Sequence, residues 1–399
     1  MTTDEIDRLA DLIVGFGANV QPGQIVAIST EQGKEEFTRA LAASAYRAGA
    51  KFVDAWYFDM HVKRARLLHG REEDLEFVPS WYGDRLIELG RQRCARIALT
   101  GPAEPDLFDG IDPVRAGLDQ LPSLEQGGEI VNQRTTNWCG VPGPTAGWAQ
   151  LVHPDLDESA ALDRLWEDIL HVLRMDTPDP IAAWTERMDV LLRTATTLTD
   201  RRFDALRFRG EGTDLVVGLM PSSRWLAAQF ETIDGIVHRP NLPSEEVFTT
   251  PDPARTEGVV RSTKPLVLGG SIINGLVVEF AGGRVTRLEA DDNVEVLRAY
   301  VDRDDGASRL GEVALVDGEG RIGPLDTVFF DTLLDENAAS HIALGSAYTF
   351  AVDDDADAER ANKSSIHVDF MIGSEAMEVD AITRDGDEVP VLRQGAWQV

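Results

Sequence analysis

The spacing of apolar residues over the first 178 positions predicts helices and strands in alternation. Helical spacing predicts an amphipathic helix over residues 3–17, and Thr2 followed by Glu5 three residues later is typical of a capping box at its start. The predicted strands are 25–28, 52–56 and 95–99, and the predicted helices between them are 35–48, which Gly49 ends, and 81–91. Strand–helix–strand units of this length are parallel and right-handed, so we expect a parallel sheet with flanking helices.

Residues 110–160 show a weaker pattern. Glycine, proline and tryptophan cluster at 138–144 and at Trp148, which predicts an ordered loop region whose role the sequence leaves open. Helical spacing returns at 162–175. Asp179-Pro180 is then typical of the start of another helix, running to about residue 199.

The pattern changes to short alternating runs after residue 201, which predicts a mostly antiparallel β region with few helices. The predicted strands are 203–208, 213–219, 258–262, 276–280, 284–289, 327–330, 348–352 and 365–370, and the predicted helices are 293–301 and 307–310. We therefore predict an α/β N-terminal domain at 1–178 and a β-rich α+β C-terminal domain at 179–399.

The composition argues against binding to nucleic acid or to membranes. The chain has 399 residues, with Lys+Arg 38 against Asp+Glu 69 and a formal net charge of −31. So acidic a protein is a poor match for nucleic acid or anionic membranes, whose binding rests on lysine and arginine. Cys94 and Cys139 form no C-x-x-C pattern, the start is acidic, and no stretch of about 18 apolar residues occurs. We expect a cytoplasmic protein.

Five ionisable residues stand among apolar or small neighbours in the C-terminal half: Glu246, Glu312, His341, His367 and Asp369. His367 and Asp369 lie two positions apart on a predicted strand, so their side chains share a face. Buried ionisable groups are costly unless they are paired or bind a metal. Taken singly, each has an ordinary structural interpretation, such as a solvated loop, a helix-end charge or a hydrogen-bonded histidine, and spacing alone leaves both interpretations open.

The ligand types favour a pair of divalent metal ions, so we expect the C-terminal domain at 179–399 to be the metal-binding catalytic domain. If one carboxylate bridges, five donors give three protein ligands to each ion and leave open positions for water and substrate, as catalytic sites do. Two imidazoles and three carboxylates, with no thiolate, suit zinc, cobalt(II) or manganese(II). The sequence has no H-E-x-x-H, G-x-S-x-G or G-x-x-x-x-G-K-[ST] motif.

The chain resembles the M29 family of metallo-aminopeptidases over nearly its whole length. The stretches that carry the resemblance are NVQPGQ (19–24), AYRAGA (45–50), NLPSEEVFT (241–249), TKPL (263–266), RLGEVA (309–314), DENA (335–338), ALGSAY (343–348) and SIHVDFMIG (365–373). The resemblance implies a homodimeric two-metal exopeptidase. It implies that the five residues named above are the metal ligands, with Glu312 as the bridge.

The function implied is removal of amino-terminal residues from short peptides with a free amino terminus, by a metal-bound hydroxide. By resemblance, Tyr348 faces the site and stabilises the oxyanion, while a strand aromatic in the core is an equal alternative. Glu336 is either a proton acceptor or a partner of an imidazole. The alternatives for the whole protein are a two-metal phosphoesterase, for which Lys264 offers a weak phosphate clamp, and a non-catalytic dimeric scaffold with structural metals.

Overall fold

A computed structural model describes residues 1–122 and 124–399, which form two compact units. The N-terminal unit contains Met1–Arg187 and Ala228–Ser244, and the C-terminal unit contains Met188–Ala227 and Glu245–Val399. The division of the sequence at residue 178 stays a prediction, because a compact unit is not by itself a domain.

The described residues contain twelve α-helices, several of which begin at a side-chain cap. They are α1 (Thr3–Leu12), α2 (Glu35–Arg47), α3 (Met60–His69), α4 (Ser80–Arg91), α5 (Pro113–Leu118), α6 (Glu125–Asn132), α7 (Ala146–Val152), α8 (Glu158–Val172), α9 (Pro180–Arg201), α10 (Val294–Val301), α11 (Thr332–Glu336) and α12 (Asp355–Arg360). None of these helices is long and apolar enough to cross a membrane.

The same part of the chain contains twenty-one strands. They are β1 (Ile25–Glu31), β2 (Phe52–Phe58), β3 (Ala95–Thr100), β4 (Asn137–Pro142), β5 (Ala205–Gly210), β6 (Thr213–Leu219), β7 (Leu226–Ala227), β8 (Phe230–Glu231), β9 (Val237–His238), β10 (Glu246–Thr249), β11 (Pro251–Arg261), β12 (Leu266–Leu268), β13 (Ser271–Ile273), β14 (Val277–Ala281), β15 (Arg284–Glu289), β16 (Leu310–Val316), β17 (His341–Gly345), β18 (His367–Met371), β19 (Glu378–Ile382), β20 (Glu388–Arg393) and β21 (Ala396–Trp397).

The N-terminal unit is built on a parallel sheet in the order β2-β1-β3-β4, with helices between its strands. The predicted capping box is present, because Thr2 accepts from the backbone N–H of Glu5 at 3.3 Å and Glu5 accepts from the backbone N–H of Thr2 at 2.8 Å. The helix it starts continues as a π-helical turn at Ile13–Gly17. The predicted α/β class is confirmed.

The expectation of a loop at 138–144 was wrong, because most of this stretch is the fourth strand. β4 pairs in parallel with β3 along six residues, from Ala95 with Asn137 to Thr100 with Pro142. The two prolines and two glycines of residues 138–144 masked the strand pattern. Pro142 is tolerated because β4 is an edge strand of the sheet.

The C-terminal unit contains two large antiparallel sheets and the short hairpin β12-β13. The larger has eight strands in the order β15-β14-β11-β6-β5-β19-β20-β21, and the smaller has five in the order β18-β17-β16-β10-β7. All seven residues of β16 are buried at the centre of the smaller sheet. The predicted β-rich α+β class is confirmed, and the smaller sheet carries the candidate site.

Three short predictions in this unit were wrong because local hydrogen bonds replace the predicted pattern. Residues 307–309 form a turn that leads into β16, which begins at Leu310. Residues 327–330 are irregular, and the backbone N–H of Phe329 donates to Asp335 at 3.1 Å rather than to a neighbouring strand. Residues 348–352 contain a 3₁₀ turn at Thr349–Ala351.

Candidate metal centre

The five predicted ligands lie on four successive strands of the smaller sheet. Glu246 begins β10, Glu312 lies in β16, His341 begins β17, and His367 and Asp369 lie two residues apart in β18. Because residues two apart on a strand point to one face, β18 presents both of its polar groups together. The order of the strands therefore brings residues from positions 246 to 369 into one cluster.

A β-bulge precedes Glu312 on the central strand. The register of β16 with β17 shifts between Leu310 and Glu312, and a β-carbon on Gly311 would lie 2.4 Å from the carbonyl oxygen of Gly345. Only glycine permits this approach of the two strands. Bulges of this kind re-aim a neighbouring side chain and are frequent beside active sites.

Backbone carbonyl groups fix the orientation of both imidazoles. Nδ1 of His367 lies 2.8 Å from the carbonyl oxygen of Ser346, and Nδ1 of His341 lies 3.2 Å from that of Ala339. A carbonyl oxygen only accepts, so each Nδ1 carries the proton and donates. Each Nε2 is then available as a ligand atom facing the carboxylates.

The ligand atoms form overlapping groups of three, with all atoms of a group within 4.8 Å of one another. The first group is Glu246, Glu312 and His341, and the second is Glu312, His367 and Asp369. Nε2 of His341 lies 3.0 Å from Oε2 of Glu246, and Nε2 of His367 lies 3.3 Å from Oε2 of Glu312. Glu312 belongs to both groups, as a bridging ligand must.

Burial and mutual repulsion shift the pKa values of the ionisable groups in the cluster. Burial, together with the charges of Asp369 and Glu246, raises the pKa of Glu312 to about 7 against the opposing effect of His367. Burial alone would lower the pKa of His341, but the neighbouring carboxylates, above all Glu246, raise it to about 10. The pKa of Asp369 is lowered because the two histidines outweigh its burial. If all its carboxyl groups were ionised, the cluster would carry more negative charge than its two imidazoles can balance, so it retains protons instead.

The donors present fit a divalent metal ion. Oε2 of Glu246 is buried and receives no hydrogen bond of acceptable geometry from any described residue, although His341 lies close by. Within the described residues, the ion pairs of Glu246, Glu312 and Asp369 are all with histidine. A buried carboxylate oxygen that receives no such hydrogen bond, in an all N/O donor set, is the arrangement that a hard or borderline cation stabilises.

Glu336 was predicted to lie near His341, and the structure places it within the cluster itself. It ends α11, and with His341 and Asp369 it forms a third group of ligand atoms within 4.8 Å. Burial and the charges of Asp369 and Glu246 raise its pKa well above the ordinary value. A Glu in the DENA stretch gives no periodic signal, so the sequence did not show that Glu336 could itself be a ligand.

Tyr348 lies beside the second group of ligands. Its ring centroid is 5.5 Å from that of His367 and 5.6 Å from that of Phe248. Burial raises the pKa of the phenol, so the hydroxyl keeps its proton at neutral pH. The side chain of His367 is 28% exposed, and the cluster is thus reachable from solvent on the side that Tyr348 flanks.

Comparisons with known proteins find relatives that are similar along nearly the whole chain. A family model described as thermophilic metalloprotease (M29) matches residues 2–397. An aminopeptidase T of Thermus thermophilus is 41% identical over 99% of this chain and 98% of its own, and aminopeptidase 2 of Geobacillus stearothermophilus is 36% identical over 98% and 97%. A solved structure titled wild-type AmpT from Thermus thermophilus superposes with a TM-score of 0.88 at 40% identity, covering 99% of both chains.

Proposed function

The chain belongs to the thermophilic metalloprotease family, M29, and on this premise we propose that it is a dinuclear metallo-aminopeptidase. The proposed substrates are short peptides with a free amino terminus, from which it removes the first residue. The proposed metal ligands are Glu246, Glu312, His341, His367 and Asp369. The names of the relatives support the more general part of this proposal, that the protein is an aminopeptidase.

The single observation that carries the dinuclear proposal is the position of Glu312. Its carboxylate is shared by two groups of ligand atoms, one containing His341 and the other containing His367. A carboxylate has two oxygens and can serve two cations at once. One histidine and one further carboxylate, Glu246 or Asp369, then complete each group.

Zinc, cobalt(II) or manganese(II) bound there would supply Lewis-acid polarisation of the scissile carbonyl and would lower the pKa of water to near neutral. The protein residues supply orientation. The carbonyl groups of Ser346 and Ala339 hold the two imidazoles, so the ligand atoms do not have to reorganise when the site is filled.

Two further residues are proposed to move or stabilise protons and charge. Glu336, buried beside Asp369, is placed to carry a proton between the attacking water and the leaving amine. Tyr348 keeps its phenolic proton, and its hydroxyl can donate to the oxyanion that develops on the scissile carbonyl. Both roles require that bound cations replace the protons that the cluster otherwise retains.

The assembly and location are also proposed. Exposed aromatic residues in the N-terminal unit support a homodimer, because Phe77 and Trp81 are 67% and 68% exposed and Trp81 stacks on Tyr82. The two cysteines are buried and unpaired with each other, which agrees with the proposed cytoplasmic location. The net charge of −31 favours peptides with cationic amino termini over anionic polymers.

Chelation followed by metal add-back tests the proposal against its alternatives. EDTA should abolish hydrolysis of aminoacyl-p-nitroanilides, and cobalt, zinc or manganese should restore it. A chromogenic phosphate ester serves as the parallel substrate, and its hydrolysis in place of the anilide would establish the phosphoesterase alternative. Metal binding with neither activity would establish the scaffold. An N-acetylated pentapeptide, compared with its free form by mass spectrometry, should resist cleavage.

A further inference from the structure

The carboxylate of Asp304 ties two loops together beside β18. Its Oδ2 accepts from the backbone N–H and the hydroxyl of Ser365, at 2.8 and 2.7 Å, and from the hydroxyl of Ser364 at 3.0 Å. Its Oδ1 accepts from the backbone N–H groups of Gly306 and Ala307, at 3.0 and 2.9 Å. One carboxylate therefore holds five donors, three of them in the segment that leads directly into β18.

The two loops approach so closely that no side chain fits at Gly306. A β-carbon there would lie 2.0 Å from the carbonyl oxygen of Lys363. The side-chain amide of Asn362 donates to the carbonyl oxygens of Gly306 and Gly345, at 2.8 and 2.7 Å. The path of residues 362–365 is thus fixed from both sides.

Two hydrogen bonds with Ser346 connect this ordered segment to His367. The backbone N–H of Ser346 donates to the carbonyl oxygen of Ile366 at 2.7 Å, and the carbonyl oxygen of Ser346 accepts from Nδ1 of His367 at 2.8 Å. The hydroxyl of Ser364 also accepts from the backbone N–H of Ile366 at 3.2 Å. A displacement of residues 364–366 would therefore move the imidazole that these contacts orient.

We propose that Asp304 is a positioning residue for the metal ion held by Glu312, His367 and Asp369. It belongs to none of the groups of ligand atoms, and it acts by fixing the backbone from which the imidazole projects. This inference rests on the dinuclear site proposed above. The first group of ligands includes neither His367 nor Asp369, so loss of Asp304 should affect one ion and spare the other.

Stepwise metal binding to Asp304→Asn tests the proposal. The metal-free full-length protein is titrated with cobalt(II), and the d–d absorbance and a competing chelator give two dissociation constants. We expect one ion to bind roughly 10–100-fold more weakly than in the wild type, the range typical for loss of a residue that orients a ligand. The matched control is Asp305→Asn, whose carboxylate is 86% exposed and pairs with Arg284, and both of its constants should equal those of the wild type.

A second measurement separates positioning from general destabilisation. In the metal-free protein, hydrogen exchange of residues 363–368 should be faster in Asp304→Asn, with exchange in the larger sheet unchanged. If that variant does not fold, Ser365→Ala, which removes one of the five donors, should show a smaller loss at the same single ion. Unchanged affinities, or an equal loss at both ions, would overturn the proposal. A wild-type protein that binds fewer than two ions would instead refute the dinuclear site.

Discussion

Oε2 of Glu312 lies 3.3 Å from Nε2 of His367, although their strands, β16 and β18, do not pair with each other. The strand between them is β17, and its register places Ala343 opposite Glu312 on one side and opposite Asp369 on the other. Ala343 is fully buried. Glu312, Ala343 and Asp369 thus form a row across three strands, in which only the methyl group of Ala343 separates the two acids. Polar groups from β16 and β18 can therefore meet across β17.

Ala343→Val should therefore reduce metal content. Two added methyl groups would wedge between Glu312 and Asp369, and overpacking of a filled interior typically costs about 1–3 kcal/mol. The matched control is Ala381→Val, which overpacks a fully buried position on β19 in the larger sheet. We expect a similar loss of thermal stability in both variants and a loss of bound metal only in Ala343→Val, measured by elemental analysis. Full metal content in Ala343→Val would show that this row tolerates a larger side chain.

Because Glu312 belongs to both groups of ligand atoms, substitution of Glu312 and substitution of His367 should cause different losses of bound metal. Glu312→Gln should weaken both ions, because the residue belongs to both groups of ligand atoms, whereas His367→Ala should mainly lose one. Metal analysis after dialysis against a fixed free concentration of cobalt(II) would measure the ratio of ions to chain. A single ion lost from Glu312→Gln, with the other bound normally, would count against bridging.

The pH dependence of stability should have opposite signs with and without metal. In the metal-free protein the pKa of Glu312 is raised from 4.5 to about 7, so the folded state binds more protons than the unfolded state between these values. The pKa of His341 is raised from 6.5 to about 10, so its contribution is complete below 6.5 and is lost as pH rises through 10. Both effects destabilise the metal-free protein as pH rises from about 5 to 10.

Metal binding should reverse this trend because the ligands must release their protons to bind. We expect the increase in melting temperature caused by cobalt(II) to be larger at pH 8 than at pH 6. Differential scanning fluorimetry with EDTA and with excess metal, at both pH values, measures the difference. An increase that is independent of pH would show that the ligands hold no displaceable protons.

The sequence predicted the fold class and the membership of the cluster better than it predicted local structure. The β18 pattern was readable because His367 and Asp369 interrupt an apolar run with period two, and both residues lie on one strand in the structure. The strand β4 was missed because a proline such as Pro142 is compatible with a strand mainly at the edge of a sheet. Edge position is a property of the assembled sheet and cannot be read from the strand alone.

The parts of the site that were missed depend on contacts between distant segments. Glu336 was predicted as a proton acceptor or a partner of an imidazole, but its membership in a group of ligand atoms was not predicted, because it follows from where α11 ends relative to β17 and β18. The role of Asp304 depends on hydrogen bonds to residues about 60 positions away. A sequence pattern reports which face a side chain occupies, but it does not report which loop will lie against it.

Tyr348→Phe distinguishes the two interpretations of this residue. If the phenol donates to the oxyanion, its removal should lower kcat by roughly 10²–10³-fold, leave KM nearly unchanged and leave both metal ions bound. The ring contacts with Phe248 and His367 survive in this variant, so the melting temperature should stay close to that of the wild type. Tyr348→Leu serves as the comparison, because it removes the ring as well and should lower both kcat and stability. Steady-state kinetics on an aminoacyl-p-nitroanilide, with metal content measured in the same samples, gives the result. A Tyr348→Phe variant with wild-type kcat would assign Tyr348 to packing against these rings rather than to the chemistry.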